Sequence, residues 1–400
     1  MSEENFVWWR GLQIFCLVLS YVGLGLGFIP FLKMNRATIA LVGSTLMIVL
    51  GVVSLEESWQ LIDVNTIVFL LSMMIINSYL SFSGFFNLVI YRLLQLSLTP
   101  FSLLIILSIS TAFLSALFLN DTLVLVTTPL VLRLTASLNL NPIPYLLAVA
   151  SATNIGSVPT LNGNPQNILV ASFSELSYAQ FTQALLPITI ISLILQIVWL
   201  YYLYPEVRCR HVLKFDHSTP VVIHKSLLIK SLIVSTLMLI SFVLGMPLGR
   251  SALVTASLLL ITKHLESEQV LEEINWSLLL MFSGLFILTG CVQSLNLLTI
   301  FAPFVDSKVG LVSVTVILAN LISNVPAVLL LKDMMVDNQQ NWLLLASSAT
   351  LAGNLTLFGS VANLIMVEAV KSQGYNLSFW QHFRFGFPLT IVSLLPLLIL

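Results

Sequence analysis

The sequence predicts an all-α polytopic membrane protein, built as an inverted repeat of two five-span units. Three observations carry the prediction: a composition too apolar for water, a succession of bilayer-length apolar runs, and a second half that repeats the first. Of 400 residues, 58% are hydrophobic and 8% charged, with 16 basic and 17 acidic side chains. Soluble chains carry about 25% charged residues, so a soluble enzyme and a disordered chain are excluded. The net charge of -1 leaves no basic surface for nucleic acid. Cys16, Cys209 and Cys291 are scattered, without disulfide or metal spacing. The acidic opening MSEEN is unlike a secretory signal, so the first apolar run reads as a retained span.

A span needs about 20 apolar residues. Such runs occupy 12–31, 37–54, 64–83, 101–138, 143–171, 180–203, 226–246, 250–263, 276–297, 308–336, 342–370 and 379–400. Four of them are interrupted. Residues 101–138 break at Asn120-Asp121 and 308–336 at Ser323-Asn324, and these two read as re-entrant hairpins. The arm 309–322, about 21 Å long, is too short for the hydrocarbon core, whereas 101–119 is long enough to span. Gly, Asn and Pro interrupt 143–171 and 342–370, which read as broken spans. Non-helical backbone at membrane depth must line a cavity or be buried in protein. With both termini outside, 12 of the 16 basic residues fall on the cytoplasmic side, leaving Arg10, Arg250, Lys308 and Lys332 outside.

The repeat is visible in TLNGNPQNILV (160–170) against TLFGSVANLIM (356–366), and in PITIISLIL (187–195) against PLTIVSLLP (388–396). Units 1–204 and 226–400 are joined by a cytoplasmic connector at 205–225. An odd number of spans per unit inserts the second copy upside down. Inverted repeats with discontinuous helices are the signature of secondary transporters with a midplane site.

The breaks therefore supply the candidate substrate- and ion-binding residues. They are Asn120, Asp121, Thr122, Asn154, Gly156, Ser157, Thr160, Gly163, Asn164 and Asn167 in the first half. In the second half they are Ser323, Asn324, Gly353, Asn354, Thr356, Gly359, Ser360 and Asn363. Freed N–H groups at a half-helix start favour an anion, and freed carbonyls at a half-helix end favour a cation. The glycines admit close backbone approach, and Pro165 fits the first turn of a resumed helix. Asp121, the one acidic residue placed in the hydrocarbon, is a cation ligand, a proton carrier or a cap. Gly23 and Gly27 read as a packing face. The five histidines and the acidic run Glu266 to Glu273 read as solvated.

FLNDTLVLVTTPLV, SATNIGSVPTLNGNPQNILVAS, SNVPAVLLL and SATLAGNLTLFGSVANLIMVE resemble the ion transporter superfamily, with its divalent-anion/sodium symporters, arsenite permeases and citrate permeases. The closest likeness is to bacterial anion permeases. The resemblance covers nearly the whole chain. It implies a homodimer in the bacterial inner membrane, elevator-type alternating access, and hairpin-tip signatures at Asn120-Asp121-Thr122 and Ser323-Asn324-Val325. Val325-Pro326 lacks the second Thr of that signature, which leans towards a small inorganic anion. The expected function is ion-coupled transport of a small anion, an inorganic oxyanion or a carboxylate. No cofactor is expected beyond a coupling Na+ or H+, with Na+ near Asn120, Asp121 and Asn324. The rivals are a sodium/proton antiporter and an arsenite-type efflux permease. No nucleotide-binding G-x-x-x-x-G-K-[ST], no H-E-x-x-H and no nucleophile–base pair at membrane depth is present, so neither a pump nor an intramembrane enzyme is expected.

Overall fold

A computed structural model describes residues 3–27, 29, 32–209, 212, 222–262, 265–297, 302–372, 374–375 and 377–399. Arg210, Lys214, Lys263, His211, His217, His264 and most of the 205–225 connector lie outside the described residues. The described chain is helical throughout, with one isolated bridge between Ile29 and Leu32.

The first ten helices begin with α1 (Glu3–Leu26), α2 (Arg36–Val49), α3 (Leu55–Leu61), α4 (Val64–Phe82) and α5 (Phe85–Leu94). They continue with α6 (Pro100–Leu117), α7 (Asn120–Ser137), α8 (Ile143–Ser157), α9 (Pro165–Phe173) and α10 (Tyr178–Leu203). The next five are α11 (Lys225–Val243), α12 (Leu248–Leu260), α13 (Ser267–Glu272), α14 (Trp276–Ser294) and α15 (Ala302–Val305). The last five are α16 (Lys308–Ile322), α17 (Asn324–Leu331), α18 (Gln339–Ala352), α19 (Val361–Ser372) and α20 (Phe379–Leu394). Seven helical segments among the described residues, including α4, α6, α10, α11 and α14, are long and apolar enough to cross a membrane. The protein is thus an all-α polytopic membrane protein, as the composition predicts.

Helix starts are written locally, and at matching places in the two halves. Asp63 caps α4 and Asn275 caps α14. Thr99 caps α6 and Ser307 caps α16. Ser177 with Gln180, and Ser378 with Gln381, make reciprocal capping boxes at the starts of α10 and α20. The packing also pairs across the halves. α2 lies on α14 and α12 on α4, α7 lies on α19 and α17 on α9, and α10 packs on α20.

Apolar side chains face outward as well as into the core. α11 buries Leu227, Ser231, Ser235, Met238 and Phe242 and exposes Ile229, Ile233, Leu237 and Ile240. With lipid outside, small and polar residues take the helix contacts. Within α1, Gly25 rather than Gly23 or Gly27 makes the closest approach, since an added Cβ would lie 1.9 Å from the Leu321 carbonyl oxygen. Gly156 serves the same purpose between α8 and α6, where a Cβ would lie 2.2 Å from the Ala112 carbonyl oxygen and 2.4 Å from its Cα. Neither backbone atom can swing aside. Gly156→Ala is therefore expected to lower stability by about 1–3 kcal/mol, measurable as a lower Tm in detergent; an unchanged Tm would contradict so tight a crossing.

Candidate functional site

Four helices start at one cavity. α7 begins after a break at Phe118 and Leu119, and α17 begins after Ser323. α9 begins at Pro165 after non-helical residues 158–164, and α19 at Val361 after residues 353–360, which include a 3-10 turn at Leu357–Gly359. Both runs read as broken spans are thus broken helices. Asn164 accepts from the Asn167 N–H, and Pro165 takes the first turn, where no N–H is needed. Ser323 holds φ 85 and ψ 156, a region that is essentially reserved for Gly and costs about 1–3 kcal/mol.

A narrow cavity of about 20 Å³ lies where these starts converge. Its wall includes Asn120 and Asp121 from α7, Pro165 and Gln166 from α9, Ser323, Asn324 and Val325 around the start of α17, and Ser360 and Val361 at the start of α19. Leu278, Met281 and Phe282 of α14 complete it. No Lys, Arg or His lines this wall. Each helix start carries roughly half a positive charge, and Asp121, in the first turn of α7, supplies the one formal charge. No described residue forms a hydrogen bond or ion pair with its carboxylate. The cap of α7 falls to Leu119, without a side-chain bond, so Asp121 is not the cap that its position before Thr122 had left open.

The remaining candidates stand behind the cavity and hold the breaks in shape. Asn167 Nδ2 donates to the carbonyls of Ser157 (2.9 Å) and Thr160 (2.9 Å). Asn363 Nδ2 donates to those of Gly353 (2.8 Å) and Thr356 (3.2 Å). All three positions are shifted by the 196 residues that separate the matched sequences, for instance 167 and 363. The bonds between the halves exchange in the same way. Asn164 Nδ2 donates to Thr350 Oγ1 at 3.3 Å, and Ser360 Oγ donates to Asn154 Oδ1 at 3.1 Å; 164 pairs with 360 and 154 with 350 under the same shift. Asn154 Nδ2 also donates to Asn354 Oδ1 at 2.9 Å.

The starts of α7 and α17 are tied to the breaks. The Asn120 N–H donates to the Gly163 carbonyl (3.0 Å) and its Nδ2 to Asn154 Oδ1 (3.3 Å). Asn324, with its amide oriented to suit its neighbours, donates to the carbonyls of Gly359 (3.0 Å) and Ala349 (3.2 Å). Thr122 points elsewhere. Its Oγ1 accepts from Asn77 Nδ2 at 3.3 Å, and it lines a second cavity of about 210 Å³ with Asp121. Asp121, Pro165 and Leu278 line both cavities.

Residues missed at the sequence level include Gln166, Thr350 and Asn320. Gln166 Nε2 donates to Thr350 Oγ1 at 3.2 Å, and Asn320 Nδ2 to the Ala352 carbonyl at 3.1 Å. Thr350 stands 196 residues after Asn154, the offset of the matched sequences, and that offset is the signal that points to it. His382, expected to be solvated at a span edge, is 2% exposed. It lies one turn before Gly386, which seats α20 against the Asn354 carbonyl.

Two broken helices and two interrupted helix pairs meet at one cavity inside a polytopic helical body, the arrangement expected of a membrane transporter. The family model for citrate transporters matches residues 26–347, and the chain belongs to that family. The silicon efflux transporter LSI3 of Oryza sativa subsp. japonica is 30% identical, over 91% of this chain and 92% of its own length. The 46 kDa membrane protein of Mycobacterium leprae is 30% identical over 90% and 92%. The transporter arsB of Dictyostelium discoideum is 25% identical over 91% and 86%.

Proposed function

We propose that the protein is a secondary active transporter carrying a small anion, an inorganic oxyanion or a carboxylate, by ion-coupled alternating access. The observation that carries this reading is the convergence of four helix starts on one cavity without a basic side chain. Orphan N–H groups and helix dipoles then supply the positive field. The 18 candidate residues divide into two tasks. Asn120, Asp121, Ser323, Asn324 and Ser360 face the cargo or its coupling cation, Na+ or H+, and Thr122 the cation's approach; the other twelve keep the breaks open.

In this reading 1–204 and 226–400 are inverted copies, which the exchanged hydrogen bonds and matching caps support. Both termini lie outside a bacterial inner membrane, and the elevator motion and homodimer follow from the family resemblance. A second reading, an arsenite-type efflux permease, follows from the family resemblance, and the name of one relative, a silicon efflux transporter, favours efflux. Sodium/proton antiport would rest on the unpaired Asp121.

Flux in proteoliposomes tests the reading. An oxyanion and carboxylate panel, with sodium and proton gradients imposed separately, should give gradient-driven accumulation of at least one anion. Downhill leak without accumulation would mean a channel. The orientation makes its own prediction: cysteines near Glu56 and Glu175 label from outside, and a cysteine near Lys214 only from inside. Labelling at 214 from outside intact cells would reverse the topology.

A further inference from the structure

The 210 Å³ cavity has the wrong character for an anion. Its wall carries Asp121, which it shares with the smaller cavity, and the exposed Glu273 near Asn275 in the α13–α14 connection. Ser78, Ser81 and Thr122 add hydroxyls to the same wall, which has no Lys, Arg or His. Two carboxylates in a low-dielectric cleft raise the local concentration of cations and repel anions.

Unsatisfied acceptors also belong to the neighbours of two wall residues, Asp121 and Thr122. Asn120 Oδ1 and Asn77 Oδ1 are buried without a partner, at residues 4% and 1% exposed. Asn120 stands next to Asp121 on the smaller cavity's wall, and Asn77 holds Thr122 by its other amide atom. Oxygen acceptors lacking donors suit a hard cation.

The cavity lies towards one end of α4 and α14, its wall taking Met74 and Ser78 of the first and Leu278 of the second. At the opposite ends of those helices side chains are tied together. Thr66 Oγ1 donates to Ser172 Oγ at 3.0 Å, Gln293 bonds Asp333, and Lys332 Nζ sits 2.7 Å from Asp333 and 4.2 Å from the Phe173 ring centre.

We propose that this cavity is a cation entrance, distinct from the positive field that holds the anion. A monovalent hard cation, with sodium as the probe, enters past Glu273, passes Ser81, Ser78 and Thr122, and reaches Asp121 from the side. Glu273 is then a positioning residue that gathers the cation on one face only. The inference rests on cation-coupled transport as proposed above.

A labelling experiment reads the entrance without needing transport. In the full chain, with Cys16, Cys209 and Cys291 replaced, Leu125→Cys puts a thiol on the cavity wall. Cationic and anionic methanethiosulfonates of similar size are compared in right-side-out and inverted membrane vesicles. The cationic reagent should win by about tenfold over its intrinsic advantage, and only from the side bearing Glu273. Sodium, at constant ionic strength with choline, should slow it. Glu273→Gln should cut the preference about threefold and raise the half-protecting sodium concentration, while Glu272→Gln, absent from the wall, should change neither. A charge preference indifferent to Glu273→Gln, or equal protection by choline, would overturn the proposal. Failure of the flux assay with this labelling pattern intact would instead fault the transport reading.

Discussion

Asn120→Ala and Asn324→Ala should each abolish gradient-driven transport and leave the protein folded and inserted. The two asparagines start α7 and α17 and line the same cavity. Asn120 spends its Nδ2 on Asn154 Oδ1, and Asn324 its Nδ2 on the Gly359 and Ala349 carbonyls. Each amide therefore does two things: it fixes a hairpin tip against a broken helix, and it presents polar atoms to the cavity. Truncation takes one of two donors from Asn154 Oδ1, which keeps Ser360 Oγ, and removes the Asn324 donor from the Gly359 and Ala349 carbonyls, at about 1–3 kcal/mol apiece, or roughly tenfold to a hundredfold in rate or affinity. Global folding should survive, because the large apolar core that packs the helices is untouched. Flux in proteoliposomes gives the loss, and Tm with elution profile gives the fold. Near-normal flux in either variant would reduce that asparagine to a local tie.

Asp121→Asn should give a working transporter that needs more coupling cation. The carboxylate has no partner among the described residues and lies on the wall shared by both cavities. An amide keeps its shape and one acceptor oxygen but loses the charge. A cation ligand so altered weakens ion affinity by about 1–3 kcal/mol, which appears as a five- to hundredfold rise in half-saturating sodium with the maximal rate retained. A proton carrier behaves differently: the variant would lose all gradient-driven flux while still exchanging substrate. That outcome would raise the antiport reading above symport.

The four breaks were legible because their residues are locally decisive. Gly163, Pro165 and Asn164 cannot continue a helix in lipid without compensation, and Asn120 and Ser323 interrupt otherwise apolar runs. The fold class was legible from the same apolar runs. The partners of these residues were not. Thr350 and Gln166 sit inside regular helices, and only the crossing of α9 with α18 makes them a pair. Glu273 ends an acidic loop whose composition reads as solvated; its place on a cavity wall depends on how α13 and α14 meet α4. His382 looks like an interfacial residue until Gly386 is seen to press α20 onto the second break. Local signals mark where the chain leaves helical form, whereas contacts between distant helices decide what that departure is for.

The central claim is that both halves contribute walls to one substrate cavity, and protection by substrate tests it most directly. In the cysteine-free background, Gln166→Cys reports from the first half and Ser323→Cys from the second, both on the cavity wall. A transported anion should protect both thiols from a small neutral reagent, with the same half-protecting concentration. Protection of one thiol alone, or protection of the two at unrelated concentrations, would mean that the halves do not share a site.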